Sequence, residues 1–175
     1  MGIRNFRHFL TGAGFVLMAV VASGAGAWTK DIDKLKDINT LCKFEPEAQC
    51  SWAIRIGAKA AGVDMHDSSM ASMRLDNADL QGADLSGSIL QLSSLEGANL
   101  MLANLEKAHM HGTNLRGANL MLANLVGVNL LDADLTGANL RGANLLGAII
   151  IKARFDNATW TDGRICAAES IGECR

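Results

Sequence analysis

The sequence predicts a solenoid, a four-sided prism made by stacking short coils of chain. Three observations carry this. Every fifth residue from Leu75 to Leu145 is Leu except Met110, which is 14 of 15 positions. A second row, two residues before each of the 15 positions from Leu80 to Ile150, is small: 11 Ala and 2 Ser, with Thr113 and Val128. The stretch Gly97-Ala98-Asn99-Leu100-Met101-Leu102-Ala103-Asn104-Leu105 recurs unchanged at 117–125, and Gly137-Ala138-Asn139-Leu140 starts it again, at a spacing of 20 residues.

The first row excludes the regular elements. A helix turns about 100° per residue, so Leu at every fifth place would smear around it. A strand alternates with a period of about two, and an odd spacing throws successive Leu to opposite faces. Only a chain that turns a corner every five residues returns each Leu to one axis, with each coil stacked on the last. The 20-residue recurrence is four such units, hence four sides. Four Leu per level fill the axis, and the small row points inward near the corners, where bulk would clash. Gly follows at the turn in nine units, among them Gly97, Gly117 and Gly142, where positive φ or close backbone approach is expected. Asn and Asp suit the same turns. Aromatics are only 5% of the chain, in keeping with a narrow axis.

The unit reads Ala-(Asn/Asp)-Leu-x-Gly, and with it the chain resembles the pentapeptide-repeat family over residues 70–165, about 96 of 175 residues. The resemblance implies an all-β solenoid, a right-handed quadrilateral β-helix of about five coils. Its central Leu and the small residue before it point in, and the other three positions point out. At about 4.8 Å per coil the rod would be about 24 Å long.

The two ends need covers, since an open coil exposes Leu and unpaired backbone. Residues 28–65 are expected to form a small helical cap. Residues 31–39 read as one short helix, with Ile32, Leu35 and Ile38 inward. Pro46 suits a helix first turn. From there to residue 61 the spacing of Trp52, Ile56 and Ala60 reads as one helical face, stopped by Gly62. The rod is expected over 66–165. Phe155 and Trp160 replace Leu in the inward row and would seal its last coil. Residues 166–175 would fold over them as a short C-terminal cap.

Residues 1–27 read as an export signal, with Arg4, Arg7 and His8 before an apolar run and Ala25-Gly26-Ala27 as a cleavage site. An uncleaved anchor is the alternative; after cleavage no stable membrane span is expected. The four cysteines agree with a periplasmic or otherwise exported protein. Cys42 and Cys50 precede the repeats, and Cys166 and Cys174 follow them. Pairing across the rod exceeds disulfide reach, so local pairs are expected; four unpaired thiols are the alternative.

No nucleophile elbow, phosphate loop, zinc-protease motif or paired catalytic carboxylate appears, so neither catalysis nor a cofactor is expected. His109 and His111 flank the inward Met110 and point outward, a weak metal candidate lacking a third ligand. Asn99, Asn119 and Asn139 stack in register, as do Asn104, Asn124 and Asn144, and stacked amides can hydrogen-bond between coils. Some members of the family resemble DNA in shape and charge and bind type II topoisomerases. Here the slot before Leu holds eight Asn against three Asp between Asp79 and Asn144. The net charge of −2 becomes −4 without Arg4 and Arg7. Mild charge and export disfavour that alternative, and no nucleic acid partner is expected. One side, through Leu95, Leu115, Leu135 and Phe155, is polar. The other three carry outward apolar residues, including Val126 under Leu146 and Leu131 under Ile151. Met101 and Leu102 lie under Met121 and Leu122, and these four are the candidate contact surface for another exported protein or a second copy. The function expected is that of a non-enzymatic binding or scaffold module.

Overall fold

The computed structural model describes residues 41–175, which belong to one compact unit, Asp33–Arg175. The export signal expected over 1–27 and the helix expected over 31–39 lie outside the described residues. Among the described residues no helix is long and apolar enough to cross a membrane.

Residues 46–160 repeat one five-residue conformation, a turn followed by a single bridging residue, for twenty-three sides or a little under six coils. Bridging residues stack at intervals of 20 in four parallel columns, which begin at Gln49, Ile54, Lys59 and Asp64. We name the four sides of the rod by those residues.

The unit 98–102 shows why five residues suffice. Ala98 N donates back across the corner to Leu95 O at 3.0 Å. Asn99 N donates to Ala78 O in the coil before at 2.8 Å, while Leu100 N and Leu102 N donate to Asn119 O and Met121 O in the coil after, at 2.7 and 3.0 Å. The fifth donor, Met101 N, is taken by Asn99 Oδ1 at 3.3 Å. Every N–H is thus satisfied, the last one by the side chain that the Asn/Asp slot supplies. Each corner places its second central residue at positive φ, as in a type II turn. This holds at every fifth residue from Glu47 to Asn157, Gly in eleven cases and another residue in twelve.

The core is a line. Leu80, Leu100, Leu120 and Leu140 are wholly buried, as are Ala98, Ala118 and Ala138 beside them. Each buried Leu contributes about 1.5–3 kcal/mol, gross of chain entropy. Ser88, Ser93 and Thr113 fit the small row because each hydroxyl donates to a nearby carbonyl, Leu85 O, Leu90 O and Leu90 O respectively.

The helix expected over 46–61 is not there; that stretch is the first coil. The inward slot at this end holds Cys50, Arg55, Ala60, Met65 and Met70 in place of Leu. The Leu row therefore begins a full coil after the fold does. The small row was intact, at Ala48, Ala53, Ala58 and Val63, with Gly57 and Gly62 at the corners. Trp52 and Ile56, read as an inner helical face, stand at corners and are 66% and 47% exposed. Pro46 is the first central residue of a turn, where its fixed φ is equally suitable.

At the other end Phe155 is wholly buried and packs edge-on against Trp160, with ring centroids 5.0 Å apart. The rod stops at residue 160, not 165. The chain turns at Gly163 (φ 93°) and runs back over the last coil. Ile165 bridges Thr159 and Ile171 bridges Arg154, both antiparallel.

Candidate functional site

The corner after the Lys59 side carries Met101-Leu102 in one coil and Met121-Leu122 in the next. The structure brings all four together. Leu102 N donates to Met121 O, which fixes the two corners one above the other. Met101 and Met121 are half-buried, while Leu102 and Leu122 are 53% and 54% exposed. Both Leu sit in the positive-φ slot, at 62° and 59°. Leucine is disfavoured there by its Cβ, and the strain is on the order of 1 kcal/mol or more per residue. Nothing in the axis requires it, since Gly82 and Gly142 occupy the same slot below and above. Leu122 leans over Gly142 so closely that a Cβ there would lie 2.6 Å from its Cδ2. The result is a short apolar ridge between Gln81 and Arg141.

Sequence reasoning missed two further apolar corner residues, Trp52 and Leu92, both exposed and both at positive φ. The signal was available in the five-residue register, which places each three residues after a bridging position, Gln49 and Ile89.

The polar side is a set of ties between coils. Arg74 pairs with Asp76 at 2.8 Å, and Asp76 accepts from Ser94 Oγ. Asn114 donates to Glu96 at 3.2 Å, and Arg116 to Asp134 at 3.1 Å. Burial acts to raise the Asp134 carboxyl, but bonds from Thr136 and Arg116 outweigh it and hold the carboxyl below its ordinary value. Asp156 is likewise lowered, first by its bond from Arg154. Near the first coil, Asp64 accepts from His66 Nδ1 at 2.7 Å, which lowers the carboxyl and raises the imidazole.

His109 stands in the column between Ile89 and Asn129, and His111 Nε2 lies 3.5 Å from Asp132. Among the described residues no group of three His, Cys, Asp or Glu side chains could hold a metal. The stacked amides do bond. Asn119 Nδ2 donates to Asn99 Oδ1 at 3.1 Å, and Asn99 Nδ2 to Asp79 Oδ1 at 3.0 Å. The cysteines pair locally, Cys42 with Cys50 and Cys166 with Cys174.

A family model for pentapeptide repeats matches eight copies, over residues 56–91, 93–121 and 123–159. The chain belongs to the pentapeptide-repeat family, whose fold is the right-handed, four-sided β-helix. Among solved structures it is similar to Rfr23, a pentapeptide repeat protein from the cyanobacterium Cyanothece 51142, at 32% identity and a TM-score of 0.54, covering 61% of this chain and 90% of that one. It is also similar to HetL, involved in heterocyst differentiation regulation in Nostoc, at 28% identity and a TM-score of 0.46, covering 66% and 69%. QnrB1, a plasmid-mediated fluoroquinolone resistance protein, matches at 17% identity and a TM-score of 0.39, covering 62% and 68%. No curated protein matches the sequence.

Proposed function

We propose that the chain is a non-enzymatic, exported binding or scaffold module that holds another exported protein against the corner formed by Met101, Leu102, Met121 and Leu122. One observation carries the reading. In two consecutive coils the corner slot that suits Gly holds a strained Leu, and each of those Leu exposes more than half of its surface. Both features disfavour the folded chain in isolation. A protein surface that covers the ridge offsets them, because burying apolar area is worth about 25 cal/mol per Å². Two closed disulfides and the N-terminal signal pattern support export.

The test is a crosslinked pull-down of the tagged chain from the exported fraction, beside a Met101→Glu/Met121→Glu variant. A partner captured by the parent should be lost by about tenfold or more in the variant, since two charges would enter an apolar contact. Equal capture by both, with the variant as stable as the parent, would remove the ridge from consideration.

A further inference from the structure

The C-terminal end of the rod is only half closed. Over the Ile54 and Lys59 sides the tail supplies the missing bonds: Phe155 N donates to Ser170 O, Gly172 N to Ala153 O, Cys166 N to Ala158 O, and Trp160 N to Arg164 O. Over the Asp64 and Gln49 sides nothing does. Among the described residues, Leu145 N, Gly147 N, Ile150 N and Lys152 N have no hydrogen-bond partner, nor do the carbonyls of Ala143 and Ala148. Leu145 and Ile150, the last inward residues there, are only half-buried. The end is therefore a step, with one half a chain thickness higher than the other.

The raised half has an unused edge of its own. Ile165 and Ile171 pair with the rod through their neighbours' backbone groups, so their own N–H and C=O point away from it. Inside the rod, a bridging residue donates to the carbonyl one before its lower partner and accepts from the N–H one after, as Asn119 does with Ala98 and Leu100. Ile171 over Ile149 would meet Ala148 O and Ile150 N in that same pattern. Ile165 over Asn144 would meet Ala143 O and Leu145 N. Those are the free groups of the lower half.

We propose that two copies of this chain join end to end, each copy's tail lying on the other's open sides. A two-fold axis through the corner between the Gln49 and Ile54 sides exchanges those two sides, and exchanges the Lys59 with the Asp64 side. It sets raised half on lowered half in both copies at once, the self-complementarity a two-fold contact requires. It also runs each tail parallel to the partner's open side, the sense that the bonding pattern demands. Charge is compatible: the lowered half presents N–H groups in excess and Lys152, and the tail carries Asp162, Glu169 and Glu173 against Arg164 and Arg175, with Arg164 paired to Asp162 and Arg175 to Glu173. Ile171 and Ile149, 52% and 44% exposed, would cover one another.

The test is sedimentation of the oxidised full chain over a concentration series, with Ile149→Lys and Ile171→Glu as single variants. The parent should pass from one-chain to two-chain mass as concentration rises. Each variant should weaken the dimer by about tenfold or more, because each dimer then holds two charges against apolar partners. An equimolar mixture of the two variants should restore it, since the new amine of one copy meets the new carboxylate of the other and the second contact is unaltered. Met101→Glu/Met121→Glu should leave the dimer intact, which separates this contact from the corner ridge. A parent that stays monomeric to about millimolar, a dimer indifferent to both variants, or two well-folded variants that do not recombine would each overturn the proposal.

Discussion

Asn119 is held at three points, and each has a separate reason. Its Oδ1 accepts from Met121 N at 3.3 Å, and its Nδ2 donates down to Asn99 Oδ1 at 3.1 Å while Asn139 donates to it from above. Asn119→Asp removes the downward donor and sets a carboxylate against the Asn99 oxygen. It should lower stability by about 1–2 kcal/mol in urea unfolding. Asp79→Asn, at the lower end of the same ladder, keeps the acceptor that Asn99 uses and should change stability by less than about 0.5 kcal/mol. Gly142→Ala and Gly137→Ala should each cost about 1 kcal/mol and differ by less than about 0.5 kcal/mol, since the exposed Leu122 methyl can swing away from the new Cβ. Both sites have positive φ, which sets the cost; only the end of the Leu122 side chain approaches the first, and nothing lies within 4 Å of the second. A pH dependence belongs to this scale too. Asp134 and Asp156 hold their protons less tightly when folded than the ordinary 3.8. Their contribution is therefore present above that pH and is lost as pH falls through the folded values. Urea midpoints should fall below about pH 4, and fall less steeply in Asp134→Asn/Asp156→Asn.

The sides and corners were legible because Leu fills every inward slot but one from 75 to 145 and Gly recurs at the corners. Where other residues fill those slots the pattern disappears from view. Met65 and Met70 pack the axis as fully as Leu does, being 1% and 0% exposed, yet they broke the row by which the rod was recognised. Trp52 and Ile56 are four residues apart, which also suits a helical face; only the five-residue register separates the two readings. Distance excluded pairing across the rod and left local pairs or free thiols, and the structure closes both local pairs. The tail's path did not follow, since it depends on Gly163 turning the chain back and on backbone groups that no side chain announces. Each disulfide spans eight residues and should contribute about 2–3 kcal/mol by restricting the unfolded chain. Cys166→Ser/Cys174→Ser should lose roughly that amount in chemical unfolding, and should loosen the half-cap over Phe155 and Trp160.

At the scale of the whole molecule, the rod is a one-dimensional stack, in which each coil contacts only its neighbours. Removing residues 98–117 rejoins Gly97 to Ala118 in the same register and keeps all four columns. The shortened chain should still unfold cooperatively, at a lower midpoint. Removing residues 98–104 shifts the later Leu off the axis and should prevent folding; circular dichroism distinguishes the two. Function was far less legible than fold. The repeat dictates what points inward, whereas a partner reads only what points outward, and there the sequence is free to vary. The exposed Leu pair became informative only when the structure showed it at positive φ. Its role is tested most directly by site-specific crosslinking in intact cells, with a photoreactive residue in place of Leu122 and, as control, of the exposed Arg116 on the polar side. A discrete crosslinked species from position 122 that is absent from position 116 is the expected result. Equal crosslinking from both positions, or none from 122, would contradict a binding function for the ridge.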